Sequence, residues 1–146
     1  MLTTPHAATG MAIGALIGNP YVVIPVAIAS HFALDAVPHW QETLAPYKPT
    51  RKTYFRVPLD IALAVGITIL ATHWQPNYTM AIWLGAIFAN VPDLDTIVIL
   101  IPKLKRGLVR KYWDWHCSIQ RETASLWGTA PQVLVIAASL VLVKLR

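Results

Sequence analysis

The chain has 146 residues, of which 55% are hydrophobic and 13% are charged, and its net charge is +5. About a quarter of the residues of an ordinary soluble domain are charged, so this composition argues against a soluble protein and indicates a membrane protein of one domain. The single cysteine, Cys117, excludes an internal disulfide and any zinc site built from four cysteines.

Five apolar segments, taken in chain order, predict five short membrane helices. Such a helix needs roughly 20 residues to cross a hydrocarbon core of about 30 Å, and the first segment is clearly shorter. We expect helices because an open sheet edge in lipid would leave backbone groups without hydrogen bonds. The short breaks GNPY and HWQPN favour antiparallel hairpins. The five segments are 6–18, 21–37, 57–73, 78–91 and 126–143.

The resulting fold class is an all-α bundle in a single transmembrane domain, and no signal peptide is expected because MLTTPHAATG lacks a basic region. Residues 96–106 are apolar and then basic, which favours either a helix lying on the membrane or a re-entrant segment. VPH at 37–39 and VPD at 91–93 occupy matching places, so the two hairpins are either a repeat or similar by chance. The expected parts of the domain 1–146 are a hairpin over 6–39, a hairpin over 57–95, an interfacial or loop region over 96–125 and a C-terminal helix over 126–143.

Positive charges follow this topology. All but two of the 12 lysines and arginines lie on the side of the membrane that also holds the N-terminus, and only Lys144 and Arg146 lie opposite. The positive-inside rule makes the first side cytoplasmic in a bacterial inner membrane. This distribution accounts for the net charge through topology in the lipid bilayer, so we do not expect nucleic acid as a partner.

Ionisable residues collect at the same membrane face, and SHFALDAVPH at 30–39 is a dense example. His31, Asp35 and His39 follow at intervals of four, so on a helix His31 and Asp35 point the same way and can hold one ion. Pro38 disfavours helical geometry before it, which turns His39 out of the helix. The other candidates lie at the ends of apolar segments or in a loop. The candidate metal ligands are His6, His31, Asp35, His39, Asp60, Asp93, Asp95 and His116.

Histidine and carboxylate ligands suit one or two divalent ions such as Zn²⁺ or Mn²⁺. Ionisable groups inside a bilayer cost roughly 2.5–3.5 kcal/mol each, and a bound cation offsets that cost. Simpler roles stay open for individual residues. Asp93 or Asp95 can cap a helix. Asp60 can pair with Arg56, four residues earlier, and His116 can be a solvated loop histidine.

The ligand set favours a metal-dependent hydrolase that activates water. A phosphoester or a lipid headgroup is the expected substrate because basic residues surround the same face. Asp35, Glu42 or Asp114 could accept the proton of the attacking water. A non-catalytic metal-binding or ion-conducting membrane protein and a structural membrane protein are the alternatives. The candidate substrate-binding residues are Arg51, Lys52, Arg56, Arg110 and Lys111.

Three short motifs carry a resemblance to a known family: PHAATG at 5–10, HFALDAVPHW at 31–40, and VPDLD at 91–95 followed by a loop histidine. They resemble the small membrane-bound, predicted metal-dependent hydrolases, a group that includes LexA-regulated inner-membrane proteins of bacteria. The resemblance implies that His6, Asp93 and Asp95 belong to the metal site. The family's HRxxTHS-like segment is missing here, and WHCSIQ at 115–120 stands near its place. The spacing of His31 and Asp35 is also similar to part of the zinc motif of bacterial phospholipase C enzymes.

Overall fold

The computed structural model describes residues 1–41, 51–96 and 101–146, and within these ranges the chain forms six α-helices and no strand. The prediction of an all-α fold is therefore confirmed. Short 3₁₀ helices occur at Pro76–Tyr78, Val91–Thr96 and Pro102–Leu104. The six helices are α1 (Thr3–Ile17), α2 (Pro20–Asp35), α3 (Arg51–Trp74), α4 (Thr79–Phe88), α5 (Gly107–Ile119) and α6 (Ser125–Leu145).

Two of the described helices are long and apolar enough to cross a membrane: α3, and α6 over Leu126–Leu145. Only 17% of the apolar window of α3 and 22% of that of α6 are buried, whereas the core helix of a soluble protein is mostly buried. The structure does not confirm the expected five membrane helices. α1, α2 and α4 have 15, 16 and 10 residues, which is less than a hydrocarbon core requires.

The sequence GNPY encodes the turn between α1 and α2. Gly18 takes a φ of 71°, the left-handed conformation that ends α1. Asn19 caps α2 by accepting a hydrogen bond from the Tyr21 N–H at 3.0 Å, and Pro20 occupies the first helical position, where no N–H is needed. α2 therefore runs back along α1, and its last residue, Asp35, lies beside the start of α1.

Helices α1 and α4 cross backbone to backbone. A Cβ atom at Gly10 would overlap the carbonyl of Gly85, and one at Gly14 would overlap the carbonyl of Ala81. Small residues four positions apart on both helices allow this approach, as they do in pairs of membrane helices. The crossing fixes the end of α4, including the Ala89 carbonyl, beside α2.

The segment that follows α2 lies against the start of α6. The Trp40 N–H donates to the Gly128 carbonyl at 3.1 Å, and a side chain at Gly128 would overlap the Trp40 backbone. Gln132, only 2% exposed, donates to the Trp40 carbonyl at 2.6 Å and accepts from the Leu2 N–H at 3.1 Å. The N-terminus, the end of α2 and the start of α6 therefore meet at one end of the molecule.

Candidate metal centre

Two histidines and two aspartates form a cluster at that end. Each offers one ligand atom, and the four atoms all lie within 4.8 Å of one another. α2 supplies His31 and Asp35, the 3₁₀ helix Val91–Thr96 supplies Asp93, and α5 supplies His116. The side chains of His31 and Asp35 are fully buried, that of His116 is 2% exposed, and that of Asp93 is 31% exposed. A buried set of this composition could hold a metal ion.

Several of the ligand atoms are separated by distances close to those in a tetrahedral metal site. Asp35 Oδ2 lies 3.1 Å from His31 Nε2 and 3.1 Å from His116 Nε2. The two Nε2 atoms are 3.1 Å apart, and Asp93 Oδ1 lies 3.5 Å from His31 Nε2. Tetrahedral bonds of about 2.1 Å separate neighbouring ligand atoms by about 3.4 Å. The separations among His31, Asp35 and His116, and that between His31 and Asp93, are therefore close to those around a zinc-sized ion.

Outer hydrogen bonds orient both imidazoles. His31 Nδ1 donates to the Ala89 carbonyl at 2.7 Å, and His116 Nδ1 donates to Asp95 Oδ2 at 2.7 Å. These bonds direct the Nε2 atom of each ring at Asp35 Oδ2, and such partners commonly orient histidines that bind metals. Two nitrogen lone pairs and a carboxylate oxygen this close repel one another unless a proton or a cation lies among them.

The turn after α4 explains how Asp93 and Asp95 reach the same place. On an α-helix, residues two positions apart diverge. The 3₁₀ helix Val91–Thr96 instead directs Asp93 at His31 and Asp95 at His116. Asp95, expected as a ligand, thus lies against the Nδ1 side of His116 and acts on the cluster through that ring.

His6 of α1 borders the cluster. Its ring stacks on His31, with the ring centroids 4.0 Å apart and the planes 18° from parallel. His6 Nε2 lies 3.3 Å from Asp35 Oδ1, and the amino nitrogen of Met1 lies 2.6 Å from the same oxygen. Among the described residues, no hydrogen-bond partner approaches His6 Nδ1. Asp35 therefore connects the four-residue cluster to His6 through its second oxygen.

His116 and Asp93, which lie outside the apolar helices, have shifted pKa values. Burial by itself would lower the pKa of His116, but its hydrogen bonds with Asp35 and Asp95 outweigh burial and raise the pKa to about 9. Burial raises the pKa of Asp93. His116 therefore carries a second proton at neutral pH in the metal-free protein, and a cation that binds to Nε2 must displace it.

Two of the expected ligands make other contacts. His39 Nδ1 lies 2.8 Å from the Val37 carbonyl, and the segment that holds His39 leaves α2, as Pro38 requires. Asp60 caps α1: its carboxylate accepts from the Thr3 N–H at 2.7 Å and the Thr4 N–H at 3.1 Å. The structure places both residues outside the four-residue cluster.

The three candidate proton acceptors are Asp35, Glu42 and Asp114. Asp35 belongs to the cluster, and Glu42 lies outside the described residues. Asp114 is 55% exposed and lies 3.7 Å from Lys105 and 3.4 Å from Arg110, so its carboxylate belongs to the outer face of α5.

A cavity of about 1060 Å³ opens beside the cluster. Asp93 and His116 line its polar side, and apolar residues of α3 such as Leu63 line another side. Of the five expected substrate-binding residues, Arg56 lines the cavity, and its guanidinium lies 5.4 Å from the centre of the Trp40 ring. The other four are exposed and lie away from the cavity lining: Arg51, Lys52, Arg110 and Lys111.

Sequence reasoning missed the groups that position the cluster. The Ala89 carbonyl orients His31, and no side chain marks its role. Gln132 joins the N-terminal segment to the segment after α2. The amide side chain within an apolar helix was the available signal for Gln132, because such groups are costly in a membrane unless they have partners.

The chain matches no protein-family model, no curated protein and no solved structure. An all-helical fold, two candidate membrane spans and a buried cluster that could hold a metal ion are what the chain itself shows. A functional assignment therefore depends on the geometry of that cluster and its cavity.

Proposed function

We propose that the protein is a membrane-bound, metal-dependent hydrolase that acts on phosphoesters. One observation carries the proposal: His31 Nε2, His116 Nε2 and Asp35 Oδ2 lie 3.1 Å from one another, while both Nδ1 atoms are held by outer acceptors. This arrangement directs two imidazole nitrogens and a carboxylate oxygen at one point, where a divalent ion can replace the proton that His116 Nε2 otherwise carries.

The open side of the cluster favours catalysis. A catalytic zinc site has three protein ligands and keeps one position for substrate or water, so in this proposal His31, Asp35 and His116 hold the ion and Asp93 lies at its open side. Asp93 is 31% exposed and lines the cavity with His116, so a substrate can approach from there. When bound, a Zn²⁺ or Mn²⁺ ion would supply Lewis acidity and activate water. Hydrolysis adds water across the P–O bond: phosphorus gains the hydroxyl group and the leaving alcohol takes the proton.

The chain's own residues have separable tasks in this proposal. Asp95 and the Ala89 carbonyl keep the two imidazoles in the ligating orientation. Arg56 lines the cavity together with several carboxylates, so in this proposal an anionic substrate is held by the bound ion and by Arg56 and not by the net charge of the lining. Asp35 acts as a ligand because both of its oxygens face imidazoles.

We also propose that the site faces the cytoplasm at a bacterial inner membrane. The distribution of lysine and arginine supports this orientation, and the resemblance to the membrane-bound hydrolase family supports this membrane. α3 and α6 would cross the bilayer, with α1, α2 and α4 embedded beside them. The cluster would hold one ion, and His6 with Asp35 Oδ1 could contribute to a second.

A metal-binding membrane protein without catalysis is the second candidate. The near-complete burial of His31, Asp35 and His116 favours it, because structural sites are the more enclosed class. Turnover of a substrate separates the two candidates.

Metal content and turnover test the proposal on detergent-purified protein. We expect stoichiometric Zn²⁺ or Mn²⁺ by elemental analysis, and hydrolysis of bis(p-nitrophenyl) phosphate by the metal-loaded protein. Asp35→Asn and His116→Gln should lose both, because each removes a ligand whose partners remain buried. Asp114→Asn is the matched control, since it removes an exposed carboxylate two residues from His116 and should keep both.

The outcomes are distinct. Parent protein that holds no metal after incubation with Zn²⁺ or Mn²⁺ would contradict the metal centre and leave a structural membrane protein. Metal that is lost in the two ligand variants, with no turnover of any phosphoester in the parent, would identify the non-catalytic candidate.

A further inference from the structure

A second, apolar groove adjoins the cavity beside the cluster. The groove has a volume of about 300 Å³, and four residues line both spaces: Thr3, Ile61, Asn90 and Leu94. The lining common to both spaces makes them neighbours. A molecule with its polar end in the cavity can therefore reach the groove by passing over these four residues.

The groove lies among α1, α3 and α4. Small buried side chains form its floor, with Ala7 from α1, Ala64 from α3 and Ala86 from α4. Val65 and Ile87 form its rims and are 41% and 53% exposed. Larger apolar residues at these three positions would fill the space between the helices. The groove therefore exists because the sequence places alanine at all three.

The groove opens on the surface of α3, one of the two helices long enough to cross a membrane. In a bilayer, lipid hydrocarbon would therefore meet the groove from the side. The adjoining cavity has a polar side, which Arg56, Asp93 and His116 form. The two spaces together are polar at the metal centre and apolar away from it, which is the pattern of a single lipid molecule.

We propose, on the basis of the hydrolase function above, that the substrate is a membrane phospholipid that enters from the bilayer. Its phosphate lies in the cavity, between the metal centre and Arg56, and one hydrocarbon chain lies in the groove between Val65 and Ile87. The chain holds the phosphoester at the metal centre, so occupation of the groove contributes to substrate selection. A small soluble phosphoester would use the cavity alone.

A tryptophan that fills the groove tests this assignment. Val65→Trp places a large side chain at the rim, and Ile69→Trp is the matched control, one turn further along α3, 54% exposed and outside both linings. The measured quantity is kcat/KM for phosphatidylglycerol in mixed micelles divided by kcat/KM for bis(p-nitrophenyl) phosphate. Displacing even two methylene groups from the groove corresponds to about tenfold in affinity. We expect this ratio to fall at least about tenfold in Val65→Trp and to stay unchanged in Ile69→Trp.

A second measurement needs no turnover. Phosphatidylglycerol with a diazirine in one acyl chain is photolysed with the purified protein, and labelled peptides are identified by mass spectrometry. Labelling at Val65 and Ile87 that Val65→Trp abolishes and Ile69→Trp preserves supports the proposal. Labelling spread evenly over the exposed faces of α3 and α6 overturns it.

The two proposals fail in different ways. An unchanged substrate ratio in Val65→Trp, with phosphoester turnover intact in the parent, overturns the lipid assignment and leaves the hydrolase standing. A metal-loaded parent that hydrolyses neither substrate overturns the hydrolase, and the photolabelling then decides whether the groove holds a lipid chain. Metal content measured in both tryptophan variants shows that each has folded.

Discussion

His31 and His116 illustrate how much of a site is decided by single atoms. Both rings give Nδ1 to an outer acceptor, and both direct Nε2 at Asp35 Oδ2. Sequence spacing predicted the His31–Asp35 pair because residues four apart on a helix share a face. It did not predict which nitrogen would point inward, since the Ala89 carbonyl decides this for His31 and Asp95 decides it for His116, and each acceptor lies on a different element from its histidine.

Asp95 offers a test at this scale. The structure makes it the partner of His116 Nδ1, so Asp95→Asn should weaken metal binding about 10–100-fold without abolishing it. The same change removes a carboxylate that raises the pKa of His116, so that pKa should fall below about 9 in the metal-free protein. Titration with Co²⁺, followed by its absorption bands, measures the affinity, and NMR of the imidazole measures the pKa.

Asp114→Asn is again the control, because Asp114 lies on the outer face of α5. Complete loss of Co²⁺ binding in Asp95→Asn would make Asp95 a direct ligand, as the sequence suggested. An unchanged affinity together with an unchanged pKa would remove Asp95 from the site altogether.

At the scale of helices, the fold packs together helices whose contact the local sequence does not predict. The sequence correctly predicted helical structure and the GNPY turn between the first two helices. It gave no indication that α1 packs on α4 through Gly10 and Gly85, because helices that are apolar on all sides carry no stripe that indicates a partner. Asp60 likewise caps α1 from a different helix, which helix-by-helix reasoning cannot anticipate.

The glycine crossing predicts a large difference between two similar substitutions. Gly85→Ala adds a methyl group that overlaps the Gly10 carbonyl, so the helices must separate at a cost of about 1–3 kcal/mol or more. Gly66→Ala, in the middle of α3, meets nothing within 4 Å and should stabilise the helix by roughly 0.5–1 kcal/mol. Thermal unfolding in detergent, followed by tryptophan fluorescence, should show a lower Tm for Gly85→Ala alone. Equal Tm values would contradict the backbone contact.

At the scale of the whole molecule, the polar metal centre and the exposed apolar surface lie in different regions. One end holds the metal centre, where α2 finishes and α1 and α6 begin. At the other end, Gln75 donates to the Val143 carbonyl at 3.0 Å, and Lys144 lies 5.4 Å from the centre of the Trp74 ring. Between these ends, α3 and α6 expose apolar side chains. Composition predicted a membrane protein. The cluster residues come from α2, α5 and the turn after α4, and no sequence pattern predicted that long-range packing would bring them together.

The native cysteine provides a test of orientation in the membrane. Cys117 is exposed and follows His116, so it lies at the metal-centre end. If that end faces the cytoplasm, a membrane-impermeant maleimide should label Cys117 in inverted membrane vesicles and leave it unlabelled in right-side-out vesicles. Cys117→Ser combined with Leu145→Cys moves the thiol to the far end of α6, where the side chain is 80% exposed, and should reverse the pattern. Labelling of Cys117 from the outer side alone would invert the proposed topology, because lysine and arginine would then lie predominantly outside. Equal labelling of both thiols from both sides would show that α6 does not separate its two ends across a bilayer, and the membrane assignment of α6 would be wrong.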